Sequence, residues 1–422
     1  MARIPVESAS ATQIVVEGRK LTGFGGCNYL GLAHHPEVLN AVRAGLDRFG
    51  LSTTASRETT GDTTSHDALE RELAAFLQVQ QCLVTPEGYS ANLALGQALA
   101  RDYRVAITDE KSHRSVSHAV AAAGMRVIAY PHLDARAAGA LASEYVREGV
   151  VILTDGVFAA DGSIAPARAL FDALPKGRSL LVIDDCHGFC VLGRSGRGTA
   201  DHHGLTADGV PLDERVILTT SLAKGLGCYG GVLAGASSII QVAQDMASVY
   251  RGTTPAPPAI IEGSRQALKV VAREPALIQQ LRTNTDRLRR GFQRLRISLY
   301  PTPAPIFTFI TGDTPSMERI HRRLVEDGFL APLIAYPGGP SDFYFRVTVN
   351  AMHTAEQIDG LVAAFGRAID ADPTVKSALA SEPKPVRPDP RTENRGGGRE
   401  LIGPWDLSLN SPFSPRLPAF PN

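Results

Sequence analysis

The sequence predicts an α/β protein: a mainly parallel sheet covered by helices, followed by a smaller α+β unit. Three observations carry this. Five short apolar runs, CLVT, VAIT, VVILT, LLVID and VILTT, fall between residues 82 and 220. Each is nearly continuous rather than alternating, as strands buried on both faces are. Helical lengths separate them, as crossovers between parallel strands require. Beyond residue 259 the pattern changes to strand-like IFTFIT, helical MERIHRRLVEDG, strand-like FYFRVTV and helical TAEQIDGLVAAFGRAID.

The elements follow in order. PEVLNAVRAGLDRFG predicts a helix, with Pro36 in its first turn and Gly50 after its last. SHDALERELAAFLQV repeats the pattern, placing Leu69, Leu73, Phe76 and Leu77 on one face. The five apolar runs come next. EGSRQALKVVAREPALIQQLRTNTDRLRRGFQRL then predicts one long polar helical stretch. These readings divide the chain into an N-terminal segment (1–45), a large domain (46–258), a small C-terminal domain (259–372) and a tail (373–422). The tail is rich in Pro, Arg, Gly and Ser and is expected to be poorly ordered or draped on the body.

Bulk composition narrows the function. The 422 residues carry no formal net charge, which gives nucleic acid no electrostatic footprint. Hydrophobic residues make up 44% and charged residues 20%, ordinary for a globular enzyme. No apolar stretch is long enough to span a membrane, and no signal peptide is expected from the N-terminus. Cys27, Cys82, Cys186, Cys190 and Cys228 lack zinc-type spacing. Reduced thiols in a cytoplasmic protein, with no metal, are the expectation.

In open parallel sheets, ligands bind beyond the carboxyl ends of the strands. After CLVT comes PEGYSAN; after VAIT, DEKSHRS; after VVILT, DGVFAADG; after LLVI, DDCHG; after VILTT, SLAKGLG. One edge thus gathers an amine, carboxylates, imidazoles, hydroxyls and glycines. A lysine Schiff base to pyridoxal phosphate needs such a set. Lys224 supplies the amine and small neighbours leave room for the cofactor. A carboxylate keeps the pyridine nitrogen protonated, a flat group covers the ring, and helix N-terminal amides take the phosphate. Each residue alone has a plainer reading. Most loop lysines are solvated, Asp184 and Asp185 serve as caps, His113 and His187 as structural histidines, and Gly88 as a turn. The conjunction at successive strand ends favours the cofactor.

NYLGL (28–32), SRETTG (56–61), GYSAN (88–92), SH (112–113), TDGVFAADGSIAP (154–166), DDCHG (184–188), GRGT (196–199), SLAKGLG (221–227) and RVTVNAMHT (346–354) occur in this order. The set resembles the α-oxoamine synthases over about residues 14 to 370. The resemblance implies a fold-type I pyridoxal phosphate enzyme with a seven-stranded, mainly parallel sheet in its large domain. It implies a homodimer with shared active sites. The implied reaction is a decarboxylating Claisen condensation of a small amino acid with an acyl thioester, on CoA or a carrier protein. An α-aminoketone, carbon dioxide and free thiol result.

The resemblance also assigns residues. Lys224 is the Schiff-base lysine and proton shuttle, and Asp184 pairs with the pyridinium nitrogen. His187 lies near the ring hydroxyl and His113 stacks on the ring. Gly88 and Tyr89 offer amides to the phosphate, and Ser221 replaces the usual threonine there. Thr253 and Thr254 reach the neighbouring subunit's phosphate. Arg346 grips the amino-acid carboxylate, helped by Asn28. Ser56 and Arg57 match the amino-acid pocket. Two departures stand out. Ala159 replaces a serine that contacts the cofactor. Glu87 replaces a small hydroxyl residue beside the phosphate, and is expected to point away or meet a cation. An aminotransferase or lyase reaction, or a noncatalytic partner subunit, remain the alternatives.

Overall fold

A computed structural model describes residues 5–336, 339–380 and 399–400. Three strands open the chain: β1 (Ser8–Ala9), β2 (Gln13–Val16) and β3 (Arg19–Gly23). Helices α1 (Pro36–Phe49) and α2 (Thr64–Leu77) follow. Strands and helices then alternate: β4 (Gln81–Thr85), α3 (Gly88–Leu99), β5 (Val105–Asp109), α4 (Arg114–Ala122), β6 (Arg126–Tyr130) and α5 (Ala135–Tyr145). Next come β7 (Val150–Asp155), α6 (Ala167–Asp172), β8 (Ser179–Asp184), α7 (Thr199–His202), β9 (Val216–Ser221) and β10 (Gly231–Gly235). Helices α8 (Ser237–Met246), α9 (Ser248–Arg251), α10 (Pro258–Arg273) and α11 (Ala276–Arg294) lead into the C-terminal unit. That unit holds β11 (Ile306–Phe309), α12 (Thr314–Glu326), β12 (Phe329–Leu330), β13 (Leu333–Ile334), β14 (Tyr344–Thr348) and α13 (Ala355–Asp370). Helix α14 (Pro373–Ala380) and the two-residue β15 (Arg399–Glu400) come last.

The large sheet has the order β15-β6-β5-β7-β8-β9-β10-β4. Strands β6, β5, β7, β8 and β9 pair in parallel, and β10 runs antiparallel to both β9 and β4. This is the seven-stranded, mainly parallel sheet, with β15 added antiparallel on its β6 edge. Every residue of β5, β7, β8, β9 and β10 is buried, which explains the unbroken apolar runs of the first four. Parallel pairing points these carboxyl ends the same way. In-register pairing sets Asp155 beside Asp184, and Asp184 beside Thr219.

Two readings of the C-terminal half change. The long helical stretch is two helices, α10 and α11, because Pro275 cannot continue the ladder of α10. Packing also crosses the expected boundaries at 45 and 258. Helix α1 runs through residue 45, and α10 packs its Ile261, Ala267 and Leu268 into the large core. Strand β3 pairs in parallel with β12, and Phe24 enters the C-terminal core. The tail lies outside the described residues apart from α14 and β15.

Candidate active site

The carboxyl edge of the large sheet opens into a cavity of about 330 Å³. Its walls include Glu87, Gly88 and Tyr89 from the β4–α3 turn, His113 from β5–α4, and Asp155 and Ala159 from the end of β7. Asp184 ends β8, with Cys186 and His187 just after it, and Ser221 ends β9, with Lys224 just after it. Five strand ends therefore deliver the chemistry: β5, β7, β8 and β9 run parallel, and β4 points the same way because β10 is antiparallel to both β9 and β4.

Asp184 is buried and holds its carboxylate through two donors. Asn92 Nδ2 donates to Oδ2 at 2.7 Å, and the Cys186 amide donates to Oδ1 at 3.2 Å. Asp155 stands beside it, and its Oδ1 accepts the His113 amide at 2.9 Å. Burial and the neighbouring Asp184 charge push the Asp155 carboxyl well above the usual range. Lys224 faces both. Burial opposes its charge, yet Cys186, Asp184, Cys27 and Asp155 draw the charge out and raise the amine pKa. His187 is buried, and its Nδ1 shares a 2.8 Å hydrogen bond with the Tyr29 hydroxyl. Burial, then Lys224 and Arg346, hold its pKa well below the usual imidazole value, so the ring is neutral. His113 caps α4 and bonds Ser115 Oγ at 2.7 Å, which fixes its ring at the mouth. Burial also lowers its pKa.

The sequence matches the aminotransferase class I and II family over residues 19–365. The chain belongs to that family. An 8-amino-7-oxononanoate synthase from Methylococcus capsulatus is 39% identical over 365 residues, 86% of this chain and 93% of the relative. One from Thioalkalivibrio sulfidiphilus is 35% identical, covering 87% and 93%. Among solved structures, a Sphingomonas wittichii serine palmitoyltransferase superposes with a TM-score of 0.82 at 25% identity, covering 87% and 92%. An 8-amino-7-oxononanoate synthase from Francisella tularensis shares the fold, with a TM-score of 0.70 at 22% identity, covering 83% and 98%. The family member described here is an α-oxoamine synthase, a pyridoxal phosphate-dependent acyltransferase of fold type I.

The donor set fits that cofactor. An anionic carboxylate, a lysine, an exposed imidazole face and a helix N-terminus border one cavity. Of the residues singled out by sequence, Lys224, Asp184, His187, His113, Gly88, Tyr89 and Ser221 line it. Arg346 sits just behind, donating from Nε to the Ala159 carbonyl at 2.9 Å. Asn28 lies under the lysine loop, where a Cβ added at Gly227 would meet its Oδ1 at 2.7 Å.

Other residues are placed differently. Ser56 and Arg57 are not brought to the cavity within this chain. The Arg57 guanidinium is held by Asp62 at 2.8 Å and by Glu70, and it lies over the Tyr250 ring. Thr253 and Thr254 follow α9, also away from the cavity, and Thr253 Oγ1 donates to Val249 O. Glu87 does not point away or meet a cation. As the N-cap of α3, its carboxylate accepts the amides of Tyr89 and Ser90, each at 2.7 Å. Those free helix donors are the nearest partners for a side chain at that position.

Sequence reasoning missed Tyr29, Asn92 and Asp155. Asn92 lies one turn into α3, four residues after Gly88, and that spacing was a usable signal. Tyr29 meets His187 across a separation of 158 residues, which no local pattern reveals.

Proposed function

We propose that this chain condenses alanine with a seven-carbon dicarboxylic acyl thioester to give 8-amino-7-oxononanoate, carbon dioxide and free thiol. The support is the relatives' shared name joined to the Lys224–Asp184 geometry. The product's carbons divide at the ketone. C1 to C7 form an acyl group with a terminal carboxylate. C8 and C9 are the Cα and methyl of alanine.

Pyridoxal phosphate, transferred from Lys224 to the substrate amine, would supply an electron sink for negative charge at the amino acid's Cα and leave the Lys224 amine free. The protein's residues do the rest. Asp184, anchored by Asn92, would hold a proton on the ring nitrogen. Neutral His187, fixed by Tyr29, would offer a hydrogen bond at the ring's edge, and His113 would cover a ring face. Lys224 takes the Cα proton and later returns one. Arg346 orients the amino-acid carboxylate by charge-assisted pairing. With the cofactor held in the cavity, Cα would bond to the thioester carbonyl carbon as the thiol leaves, and after loss of carbon dioxide Lys224 would return a proton to Cα.

The chain is read as a cytoplasmic homodimer, with Thr253 and Thr254 serving the partner's site. The described residues include no helix long and apolar enough to cross a membrane. A second reading, serine with a long acyl chain, is favoured by the serine palmitoyltransferase superposition. The test is a spectral titration of the holoenzyme with alanine, serine and glycine, followed by thiol release from the seven-carbon thioester. A shift with alanine and thiol release support the first reading. A shift with serine alone, and release only from long-chain thioesters, overturns it.

A further inference from the structure

We propose that Glu87 sets how tightly this chain holds its cofactor, because its carboxylate and the cofactor's phosphate compete for the Tyr89 backbone amide. The proposal rests on the reading that the phosphate is held at the start of α3. Oε2 of Glu87 accepts from the Tyr89 amide and Oε1 from the Ser90 amide, both at 2.7 Å. These are among the first, unpaired donors of the helix, the ones an incoming anion would use. The phosphate is assigned the Gly88 and Tyr89 amides, so the Tyr89 amide is the one both anions need. The carboxylate must release it, or the phosphate must do without it and lie close to a like charge.

The backbone cannot yield instead. The Glu87 carbonyl accepts from Thr85 Oγ1 at 3.0 Å and Ser90 Oγ at 2.8 Å. Gly231 presses against it from β10, where an added Cβ would lie 2.1 Å from Glu87 O. Opposite the turn, a Cβ added at Gly88 would meet Ser221 Cβ at 3.1 Å and Cys186 Sγ at 3.5 Å. Displacement is therefore confined to the Glu87 side chain, which is half-buried and has solvent on one side. Each cofactor molecule bound must break the charge-assisted hydrogen bond from the Tyr89 amide to Glu87 before it makes its own. Serine at this position would cap the helix without a charge.

The test uses the full chain, stripped of cofactor and titrated with pyridoxal phosphate, following protein fluorescence and the visible band. Wild type, Glu87→Ser and Glu87→Gln are compared, with pyridoxal, which lacks the phosphate, as the second probe. Glu87→Ser should tighten pyridoxal phosphate about tenfold or more and leave pyridoxal unchanged. Glu87→Gln, an uncharged acceptor of the same shape, should fall between. Melting curves without cofactor confirm that each variant folds. Equal constants for all three chains overturn the proposal, as does an equal gain for pyridoxal. Ser221→Ala separates the proposal from the reading beneath it. If Ser221→Ala weakens pyridoxal phosphate while Glu87→Ser changes nothing, the phosphate site stands and the proposal alone falls. If pyridoxal phosphate and pyridoxal bind every chain equally, both fall.

Discussion

The carboxyl edge of the large sheet and the core of the C-terminal unit are about equally buried, yet one is polar and the other aromatic. At the sheet edge, Asp155, Asp184 and His187 are 5%, 4% and 7% exposed. In the C-terminal core, Phe292, Phe345 and Phe365 are fully buried, and Phe292 meets Phe309 at 4.9 Å and Phe365 at 5.4 Å. The aromatic core gains from every contact it makes. The polar edge carries desolvated like charges, with Lys224 as their counter-charge, and is held in place by the sheet beneath it. Stability and chemistry are thus separable by residue, and substitutions can test the separation.

The largest effects belong to the polar edge. Lys224→Ala should abolish the cofactor's lysine-bound visible band and lower turnover by roughly 10³-fold or more, since one group both binds the cofactor and moves the proton. Asp184→Asn can keep one acceptor for Asn92, at the expense of the Cys186 amide's bond, and removes the charge facing the ring nitrogen. Turnover should fall roughly 10²–10³-fold with little change in melting temperature. Steady-state kinetics and calorimetry on the same preparations check both. A large stability loss in either variant would break the comparison, showing the polar edge to be structural.

The aromatic core should show the converse. Phe292→Ala removes a buried ring packed against three others, and a loss of about 3–5 kcal/mol is expected. Denaturant unfolding measures it. Below the transition, the variant should bind pyridoxal phosphate as tightly as wild type. A matching loss of cofactor affinity would show that the two regions are one energetic unit.

The contrast also explains what the sequence could disclose. Lys224, Asp184, His187 and His113 were legible because each directly follows a buried apolar strand, so strand detection located them. Strands β6 and β10 were not legible. RVIAY begins with an exposed arginine, and GVLAG is bounded by glycines, so neither has the unbroken apolar signal. The orientation of Glu87 was misjudged through like-charge repulsion from an absent anion, when the local rule was capping by the nearest amides. Its Ser90 partner, three residues on, was the available clue. Arg57 was placed by motif alone, and the carboxylates that hold it, Asp62 and Glu70, lie in the next turn and on α2. Contacts such as Tyr29 with His187, or Phe24 with the C-terminal core, depend on the finished fold.

The smallest effect lies where the N-terminal strands meet the C-terminal core. His353, in the RVTVNAMHT segment, stacks on Phe24 with ring centroids 4.3 Å apart. Its Nδ1 accepts the Asn350 amide and its Nε2 donates to Gly23 O, both at 3.0 Å. That arrangement suits the neutral ring, and burial lowers its pKa to about 4. The folded state therefore binds this proton less readily than the unfolded chain does. Its stabilising contribution is complete above the unfolded value of about 6.5 and is lost as pH falls towards 4, by about 3 kcal/mol at most. Asp185 acts in the opposite direction. Burial, against the pull of the Thr199 hydroxyl and amide, raises it to about 6, so its contribution grows as pH falls below that value. Other buried groups, His66 and Glu70 among them, also contribute to the wild-type slope, and His353→Gln isolates the histidine's part. Between pH 6.5 and 4.5 the melting temperature of wild type should fall more steeply than that of His353→Gln. Parallel curves would mean that the histidine's proton is not what ties the N-terminal strands to the C-terminal core.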